Sequence, residues 1–471
     1  MDRNILNGKK HIHFIGIGGS GMYPLAQILH SQGYYLTGSD NNETETLDAV
    51  RKMGIPVFVG QRAENIEGAD LIVHTAAIMA DNPELIASKA SGVPVLERSE
   101  LLGIVTGWYD NAICVSGTHG KTTTTSMLTQ ILYTADVDLS AFIGGKLPCI
   151  GGSGRAGKSD IMVCEACEFV DTFLKLFPDV AVILNIDEDH LDYFKNLDNI
   201  IKSFHKFSEM ATKALIINGD DENTLKAVEG ITGKEIITFG LGEKCDYRAV
   251  NITKISGMET QFDVCHKGEM LGKITLHVAG IHNVMNALAA VASAEYADVP
   301  FDKIAKGLSD FRGAGRRFEH IGTAKGITIV DDYAHHPTEL SVTLSAAMEM
   351  GYNKVWAVFQ PFTFSRTAIL LDEFAEALSI PDVAVLTDIM GSREKNTYNI
   401  YTEDLADKLS NAVFFKQDKT IEYTDERKYK NFDDVCDHIC KNAKDGDLVI
   451  TLGCGDVYKV AKMIYKKLSE T

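Results

Sequence analysis

The chain has 471 residues, of which 45% are hydrophobic and 24% are charged, and its formal net charge is -19. At about 150 residues per domain, this length predicts about three domains, and the composition is typical of a globular protein. The negative charge argues against a nucleic-acid partner, because phosphate backbones are bound by basic patches. Anionic small ligands would then be bound by a few placed cations and by backbone amides.

The cysteines and the N-terminal segment indicate the cellular compartment of the protein. Nine cysteines stand at irregular spacings, which disfavours a disulfide framework. The N-terminal sequence MDRNILNGKK lacks the apolar core of a signal peptide, and no window approaches the roughly eighteen apolar residues of a membrane span. We therefore expect a cytoplasmic protein without membrane insertion, present as a monomer or a homodimer.

The first predicted domain, residues 1–107, alternates short strands with helical segments, a pattern typical of an open parallel sheet. Its first strand runs into a glycine turn, GIGGSGM, which a helical pattern follows. Gly16, Gly18 and Gly21 have the spacing of a dinucleotide fingerprint. Asp40 follows about twenty residues later, where a ribose-binding acid is expected. Taken alone, this stretch predicts a nicotinamide-dependent oxidoreductase.

The second predicted domain, residues 108–318, begins with another strand, glycine turn and helix, in the sequence ICVSGTHGKTTTTSML. Backbone amides of this turn can form a nest for phosphate oxygens at a helix N-terminus. Lys121 would reach the β- and γ-phosphates, and the Thr122 hydroxyl would bind Mg²⁺. Gly117 and Gly120 are closer together than in the standard P-loop, so an ordinary glycine turn is the alternative.

Polar residues follow two later strands of this domain. Glu165 ends the buried run DIMVCE, and His190 lies in the loop after the next strand. Because ligands collect at the carboxyl ends of strands in α/β sheets, both residues are placed to hold a metal beside the P-loop. Imidazole is an unusual ligand for magnesium, which prefers oxygen. The alternatives are a solvated strand end for Glu165 and a capping or core role for His190.

Further on, two amides share one helical face and two arginines mark a predicted domain joint. Asn283 and Asn286 lie in GIHNVMNALAA at i, i+3 spacing and offer donors and acceptors to an adenine edge. A capped surface helix explains these asparagines equally well. Arg316 and Arg317 follow at the joint, where a guanidinium could bind phosphate.

The third predicted domain, residues 319–471, repeats the alternation of strands and helices. Its strand ITIVDD continues into Tyr333 and His335, a density of polar residues that packing does not explain. Arg366 follows FQP at the end of the next strand, and Arg393 comes later. Arg366 could pair with a surface acid such as Asp372 or Glu373, or bind a ligand carboxylate through two hydrogen bonds.

Taken together, the motifs resemble one known family. GIGGSGM, GTHGKTTTT, EACE, NIDEDHLDYF, GIHNVMNALAA, GRRFE, DDYAHHP and FQPFTFSRT occur in this order over nearly the whole chain. The set resembles the Mur ligases, and within them the alanine-adding branch. The resemblance implies an α/β protein with a Rossmann-like N-terminal domain for UDP-N-acetylmuramate, a central P-loop ATPase-like domain, and a Rossmann-like C-terminal domain for L-alanine. It also implies ATP-dependent amide-bond formation through an acyl phosphate, in peptidoglycan precursor synthesis.

The resemblance also implies the residues of each subsite. The glycine loop would then bind the pyrophosphate of the UDP-sugar and not NAD. The implied UDP-sugar residues are Gly18, Gly19, Ser20, Gly21, Met22, Ser39, Asp40, Thr75, Ala76 and Ala77. The implied ATP residues are Gly117, Thr118, His119, Gly120, Lys121, Thr122, Thr123, Asn283, Asn286, Arg316, Arg317 and Asp332. Thr122, Glu165 and His190 would hold magnesium; Tyr333, His335 and Arg366 would line the amino-acid end; and Lys121, Glu165, His190, His335 and Arg366 would be catalytic.

Two departures from the family pattern affect what the resemblance implies. Thr363 stands where a second carboxylate-binding arginine occurs in many relatives, and Cys167 stands where an aspartate is usual. Amino-acid selectivity is therefore less determined than the reaction class. A murein-peptide recycling ligase, or a sibling ligase that adds another amino acid, is the alternative within the family. An oxidoreductase outside the family does not account for both glycine loops.

Overall fold

The computed structural model describes residues 4–255, 259–278, 280–392, 394–415 and 425–470. The chain divides into two compact units: the first comprises residues up to Thr253 and Thr260–Ala314, and the second comprises the described residues of Lys254–Glu259 and those from Gly315 onward. Three β-sheets, flanked by helices, make up the architecture. Among the described helices, none is long and apolar enough to cross a lipid bilayer.

The first sheet is parallel and belongs to the first unit. Its elements are β1 (His11–Ile15), α1 (Tyr23–Ser31), β2 (Tyr35–Asp40), α2 (Glu45–Lys52), β3 (Val57–Val59), β4 (Leu71–His74), α3 (Pro83–Ala90), β5 (Val95–Glu97) and α4 (Arg98–Thr106). The strand order is β3-β2-β1-β4-β5, so the winding direction reverses beside β1. Ligands of open α/β sheets bind at the carboxyl ends of strands beside such a reversal.

The second sheet has ten strands and also belongs to the first unit. Its elements are β6 (Asn111–Ser116), α5 (Lys121–Thr134), β7 (Ser140–Leu147), β8 (Gly152–Arg155), β9 (Ile161–Glu165), β10 (Val180–Ile183), α6 (Leu191–Phe194), α7 (Leu197–Met210), β11 (Ala214–Asn218), α8 (Glu222–Val228), β12 (Glu235–Gly240), β13 (Tyr247–Lys254), β14 (Thr260–His266), β15 (Glu269–Leu276), α9 (Ile281–Tyr296) and α10 (Phe301–Asp310). The order is β15-β14-β13-β12-β11-β10-β6-β9-β7-β8, which places β6 between β10 and β9. The ends of these three neighbouring strands therefore meet at one edge.

The third sheet has six strands and lies in the second unit. Its elements are β16 (Glu319–Ala324), β17 (Ile327–Asp332), α11 (Pro337–Met348), β18 (Val355–Phe359), α12 (Phe364–Ile369), α13 (Leu371–Leu378), β19 (Val383–Leu386), α14 (Thr402–Ala406), β20 (Ala412–Phe414), α15 (Asp425–Asn442), β21 (Leu448–Leu452) and α16 (Tyr458–Glu470). The order is β16-β17-β21-β18-β19-β20, and β16 is antiparallel to β17 while the remaining pairs are parallel.

Within the first unit, the first and second sheets are joined by polar contacts between their flanking segments. The backbone N–H of Phe177 donates to Thr106 Oγ1 at 3.1 Å, and Lys175 Nζ donates to Ser99 Oγ at 2.8 Å. Ser153 Oγ, in β8, donates to the carbonyl of Ser20 at 3.3 Å. The glycine loop after β1 therefore lies against an edge strand of the second sheet.

Candidate active site

The glycine loop after β1 uses most of its backbone amides inside the protein. The N–H groups of Gly16 and Ile17 donate to the carbonyl of Ser39, at 2.8 and 3.0 Å. Gly18 N donates to Asp40 Oδ2 at 3.0 Å. The amides of Gly19 and Met22 also donate within the turn, to the carbonyls of Gly16 and Gly19. Among the described residues, the amides of Ser20 and Gly21 are the ones in this loop that meet no protein acceptor.

Ser39 and Asp40 thus support the glycine loop, and their predicted contact with a UDP-sugar stays a prediction. The turn after β4 lies beside the same loop. Its Thr75 N–H donates to the carbonyl of Ile15 at 3.2 Å, and Thr75 Oγ1 accepts from Ala77 N at 3.2 Å. The structure therefore brings the loop, Asp40 and the 75–77 turn, which includes Ala76, to one edge of the first sheet.

Arg98 is a cation at this edge that the sequence motifs do not single out. A Cβ atom on Gly21 would lie 2.9 Å from Arg98 Cδ and 3.3 Å from one of its guanidinium nitrogens, so the side chain lies against the loop. The guanidinium is also 5.9 Å from the ring centre of Phe142, in β7. Among the described residues, Arg98 forms no ion pair with a carboxylate. It is therefore an available positive charge beside the free amides of Ser20 and Gly21.

The second glycine loop joins β6 to α5, whose first helical residue is Lys121. Gly120 caps the helix at a φ of 86°, a left-handed conformation that favours glycine. A Cβ atom there would also lie only 2.4 Å from Asn286 Oδ1. Asn286 is buried, and its Nδ2 donates to Asn283 Oδ1 at 3.1 Å. The two asparagines of α9 are thus packed on the P-loop; their contact with adenine stays a prediction.

Lys121 is held in place by the loop and by a carboxylate. Its Nζ donates to the carbonyls of Gly117 and Thr118, at 2.6 and 3.1 Å, and lies 2.8 Å from Glu168 Oε2. The side chains of Lys121 and Glu168 are 14% and 3% exposed. Burial alone would lower the pKa of Lys121, but the nearby charge of Glu168, together with Cys167 and other neighbours, outweighs burial and raises that pKa. Lys121 therefore stays charged.

Glu168 was missed in the sequence analysis. It is the second glutamate of EACE, and the repetition of Glu165 three residues later is the only signal that the sequence offers. Its role depends on the irregular turn after β9, which directs it towards Lys121.

The loop after β10 is hydrogen-bonded to the P-loop. Thr118 Oγ1 accepts from Asp187 N at 2.9 Å, and Asn185 Oδ1 accepts from His119 N at 2.8 Å. The His119 side chain itself is 45% exposed, and Thr123 lies in the first turn of α5. The carboxyl ends of β6 and β10 are therefore bound to each other, as expected for neighbouring strands of one sheet.

Glu165, at the end of β9, lies next to the P-loop hydroxyl. Thr122 Oγ1 donates to Glu165 Oε2 at 2.8 Å, and Gly144 N in β7 donates to the same oxygen at 2.9 Å. A Cβ atom on Gly144 would lie 2.6 Å from that oxygen, so glycine is needed for this approach. A hydroxyl and a carboxylate are the oxygen ligands that Mg²⁺ prefers, and these two residues fit such an ion.

His190 joins a different set of acids. The ligand atoms of Glu168, Asp189 and His190 all lie within 4.8 Å of one another, a spacing that a metal ion could bridge. The His190 ring also packs on Phe169, with ring centres 4.5 Å apart. The structure thus places Thr122 with Glu165, and His190 with Glu168 and Asp189.

In the second unit, Arg316 is occupied by protein acceptors. Its Nε donates to Asp331 Oδ2 at 3.0 Å, and its guanidinium donates to the carbonyls of Gly453, Cys454 and Gly455. Burial raises the pKa of Asp331 to about 6, although Arg316 opposes this shift. The predicted contact between Arg316 and phosphate would require these bonds to be exchanged, and it stays a prediction.

Asp332 and Arg317 lie beside Tyr333. Asp332 is buried and accepts the backbone N–H groups of Phe318 and Ala334, at 2.7 and 2.8 Å. Burial raises the pKa of Asp332 despite the nearby charge of Arg317. The Arg317 guanidinium lies 5.4 Å from the ring centre of Tyr333, and Tyr333 meets the His335 ring edge-on.

Arg366 has a buried donor without a partner. Its Nη1 is shielded from water, and no described residue accepts a hydrogen bond from it. Asp372, one of the two acids that could pair with Arg366 at the surface, is instead paired with Lys408 at 2.7 Å. Arg366 also contributes positive charge at Cys454. An unpaired buried donor is costly unless a ligand supplies the acceptor, which suits a carboxylate. Arg393 lies outside the described residues.

Comparison with known proteins shows that three protein-family models match this chain. The Mur ligase family catalytic domain model matches residues 11–107, the Mur ligase middle domain model matches residues 115–294, and the Mur ligase glutamate ligase domain model matches residues 316–455.

Two curated relatives match nearly the full chain. The UDP-N-acetylmuramate–L-alanine ligase of Caldanaerobacter subterraneus subsp. tengcongensis is 42% identical over 455 residues, which cover 96% of each chain. The enzyme of the same name from Lachnospira eligens is 45% identical over 464 residues, covering 98% of this chain and 99% of the relative. Among solved structures, the UDP-N-acetylmuramate–alanine ligase of Thermotoga maritima superposes with a TM-score of 0.80 at 27% identity, covering 98% of this chain and 99% of that one.

Proposed function

This chain belongs to the Mur ligase family, and on that premise we propose that it joins L-alanine to UDP-N-acetylmuramate at the expense of ATP. The observation that carries the proposal is the P-loop: Lys121 at the N-terminus of α5, with Thr122 bonded to Glu165 beside it. Neither a dinucleotide-binding oxidoreductase nor an unspecialised glycine turn requires this set of charges. The identity to relatives named for alanine supports L-alanine over the alternatives within the family.

The reaction needs no protein nucleophile. The lactyl carboxylate of the UDP-sugar attacks the γ-phosphorus of ATP, which forms an acyl phosphate and releases ADP. The amino group of alanine then attacks the acyl carbon, and phosphate leaves. Catalysis of this kind rests on positioning and on stabilising charge. Lys121 would serve the second task, because Glu168 and the carbonyls of Gly117 and Thr118 hold its ammonium group beside the glycine loop.

Magnesium would bind at the two clusters of polar side chains. Thr122 with Glu165 would hold one ion, and His190 with Glu168 and Asp189 would hold a second. When bound, the ions neutralise phosphate charge during transfer. The oxygen ligands suit magnesium at both clusters, and the imidazole of His190 is the less usual ligand.

The other substrates would bind at the edges of the first and third sheets. The amides of Ser20 and Gly21, with Arg98, offer a site for the pyrophosphate of the UDP-sugar. Arg366 offers its unpaired donor to the alanine carboxylate. We keep the predicted domain bounds, 1–107, 108–318 and 319–471, as part of this proposal; each sheet falls within one of these ranges.

The test is release of phosphate from ATP. Purified protein with magnesium and UDP-N-acetylmuramate should release phosphate when L-alanine is added, and more slowly with glycine or L-serine. Replacing L-alanine with a murein tripeptide tests the recycling ligase, and calorimetry with NADH tests the oxidoreductase. Phosphate release with the tripeptide alone, or tight NADH binding without UDP-sugar binding, would overturn the proposal.

A further inference from the structure

Glu339 and His335 form a carboxylate–imidazole pair at the start of α11. His335 Nδ1 lies 3.2 Å from Glu339 Oε2 and 3.1 Å from the carbonyl oxygen of Tyr333. Glu339 Oε2 also accepts the backbone N–H groups of His335 and His336, at 3.0 and 3.3 Å. The two side chains are 24% and 28% exposed, so both are largely withdrawn from water.

These contacts determine which ring nitrogen of His335 carries the hydrogen. Burial alone would raise the pKa of Glu339, but hydrogen bonds and charge from His335, with Arg317 nearby, outweigh burial and hold that pKa well below its ordinary range. Glu339 is therefore an ionised acceptor, and the carbonyl of Tyr333 is also an acceptor. With acceptors at both contacts, Nδ1 must carry the hydrogen. Whenever the ring is neutral, its lone pair is therefore on Nε2.

The surrounding groups favour a functional role for this arrangement. Arg317, Asp332, Tyr333 and Cys454 all interact electrostatically with Glu339. Arg316 lies over the Tyr333 ring at 5.0 Å. The pair thus belongs to the cluster at the carboxyl ends of β17 and β21, where the amino-acid substrate is proposed to bind.

We propose that Glu339 is a positioning residue that fixes this tautomer of His335, so that Nε2 takes a proton from the ammonium group of the amino-acid substrate. The inference rests on the proposed ligase function. A carboxylate behind a histidine orients the ring and stabilises the imidazolium that forms when the ring accepts a proton.

The protons and electrons of the step balance as follows. The ammonium group loses one proton to His335 Nε2 and becomes a nucleophilic amine. Its lone pair forms the C–N bond to the acyl carbon, and the C–O bond to phosphate breaks with its electron pair. The second amine proton goes to the departing phosphate, and His335 returns its proton to solvent.

The test variant is Glu339→Gln, which keeps the acceptor oxygen that caps α11 but removes the charge. With alanine, kcat should fall roughly tenfold or more, as expected when the group that orients a histidine base is lost. The KM for alanine should change little, because Glu339 acts on the proton transfer and does not bind the substrate. Glu349→Gln, at the exposed end of the same helix, is the matched control and should leave both quantities unchanged.

Hydroxylamine separates this inference from the proposed function. It is largely unprotonated at neutral pH, so it can attack the acyl phosphate without a base. Wild-type protein should form hydroxamate with it, and Glu339→Gln should do so at nearly the wild-type rate. Equal losses with alanine and hydroxylamine, or a loss that falls on the KM for alanine, would overturn the role of Glu339. Absence of hydroxamate and of alanine product in the wild type would instead overturn the ligase function.

Discussion

The two glycine loops of the first unit share the order strand, glycine turn and helix. They differ in which of their amides are occupied and in which element supplies the cation beside the loop. After β1, the loop amides of Gly16, Ile17 and Gly18 are occupied by Ser39 and Asp40. The cation beside that loop, Arg98, comes from another element, α4. After β6, the loop supplies its own cation, Lys121, whose position is set by Glu168.

The comparison shows why one motif predicts function better than the other. A glycine turn at a helix N-terminus provides a shape and a few amides, which suit any phosphate-bearing ligand. A lysine within the turn, with carboxylates at the ends of neighbouring strands, specifies phosphoryl transfer. The first loop alone predicted an oxidoreductase because it has the glycine turn of a dinucleotide site but no lysine that would indicate phosphoryl transfer.

The largest expected effect is on the free energy of unfolding and concerns Glu84, a buried residue that supports the first loop through Ser39. Ser39 Oγ donates to Glu84 Oε2 at 2.7 Å, and Glu84 Oε1 lies 2.6 Å from His13 Nε2, with Glu84 and His13 fully buried. Glu84→Ala leaves both partners without an acceptor and should lower the free energy of unfolding by about 3–5 kcal/mol. Urea unfolding measures this loss. Glu64→Ala, an exposed control, should change it little; equal stability of the two variants would contradict the supporting role.

The next effect concerns the second loop and falls on catalysis. Lys121→Ala removes the charge that we propose faces the transferred phosphate, and kcat should fall roughly 10²–10³-fold, as for loss of a preorganised donor. Lys146→Ala is the control, because Lys146 is largely exposed. Phosphate release compares the two variants. Near-normal turnover of Lys121→Ala would remove the distinction between the loops.

A smaller effect is expected at Gly120 in the second loop, where substitution should raise the KM for ATP. Gly120→Ala combines a left-handed φ with a clash at Asn286, and the KM for ATP should rise about tenfold, or about 1.4 kcal/mol. Gly230→Ala shares a positive φ, meets no atom within 4 Å and lies outside the P-loop, so it is a control for the general cost of a left-handed alanine. If the control raised the KM for ATP as much, packing on Asn286 would not matter.

The smallest effect concerns the cation of the first loop. Arg98→Gln should raise the KM for the UDP-sugar several-fold, up to about tenfold, and leave the KM for ATP unchanged, because surface charge contacts are individually weak. Lys89→Gln, an exposed cation on α3, is the matched control. Steady-state kinetics in which one substrate is varied at a time measure the two KM values separately. A rise in both KM values would show that Arg98 supports the first unit in general.

Local sequence was sufficient for the strands and helices that carry the loops. The runs around β1, β6, β9, β10 and β17 were predicted because buried parallel strands are nearly continuous in apolar residues. Strand β7 was missed, since Gly144 and Gly145 interrupt its pattern; Gly144 is there to let Glu165 approach.

The sequence by itself determined the three-part α/β organisation, the two glycine loops and the family, because these depend on the order and spacing of residues along the chain. Only the tertiary structure decided which charges are available. Arg316 is bound to the Asp331 carboxylate and to backbone carbonyls, while Arg98 and Arg366 lack carboxylate partners among the described residues. Glu168 acquired its role through the irregular turn after β9, which brings its side chain to Lys121 at the start of α5. Electrostatic interactions depend on distance and burial, and neither can be read from spacing along the chain.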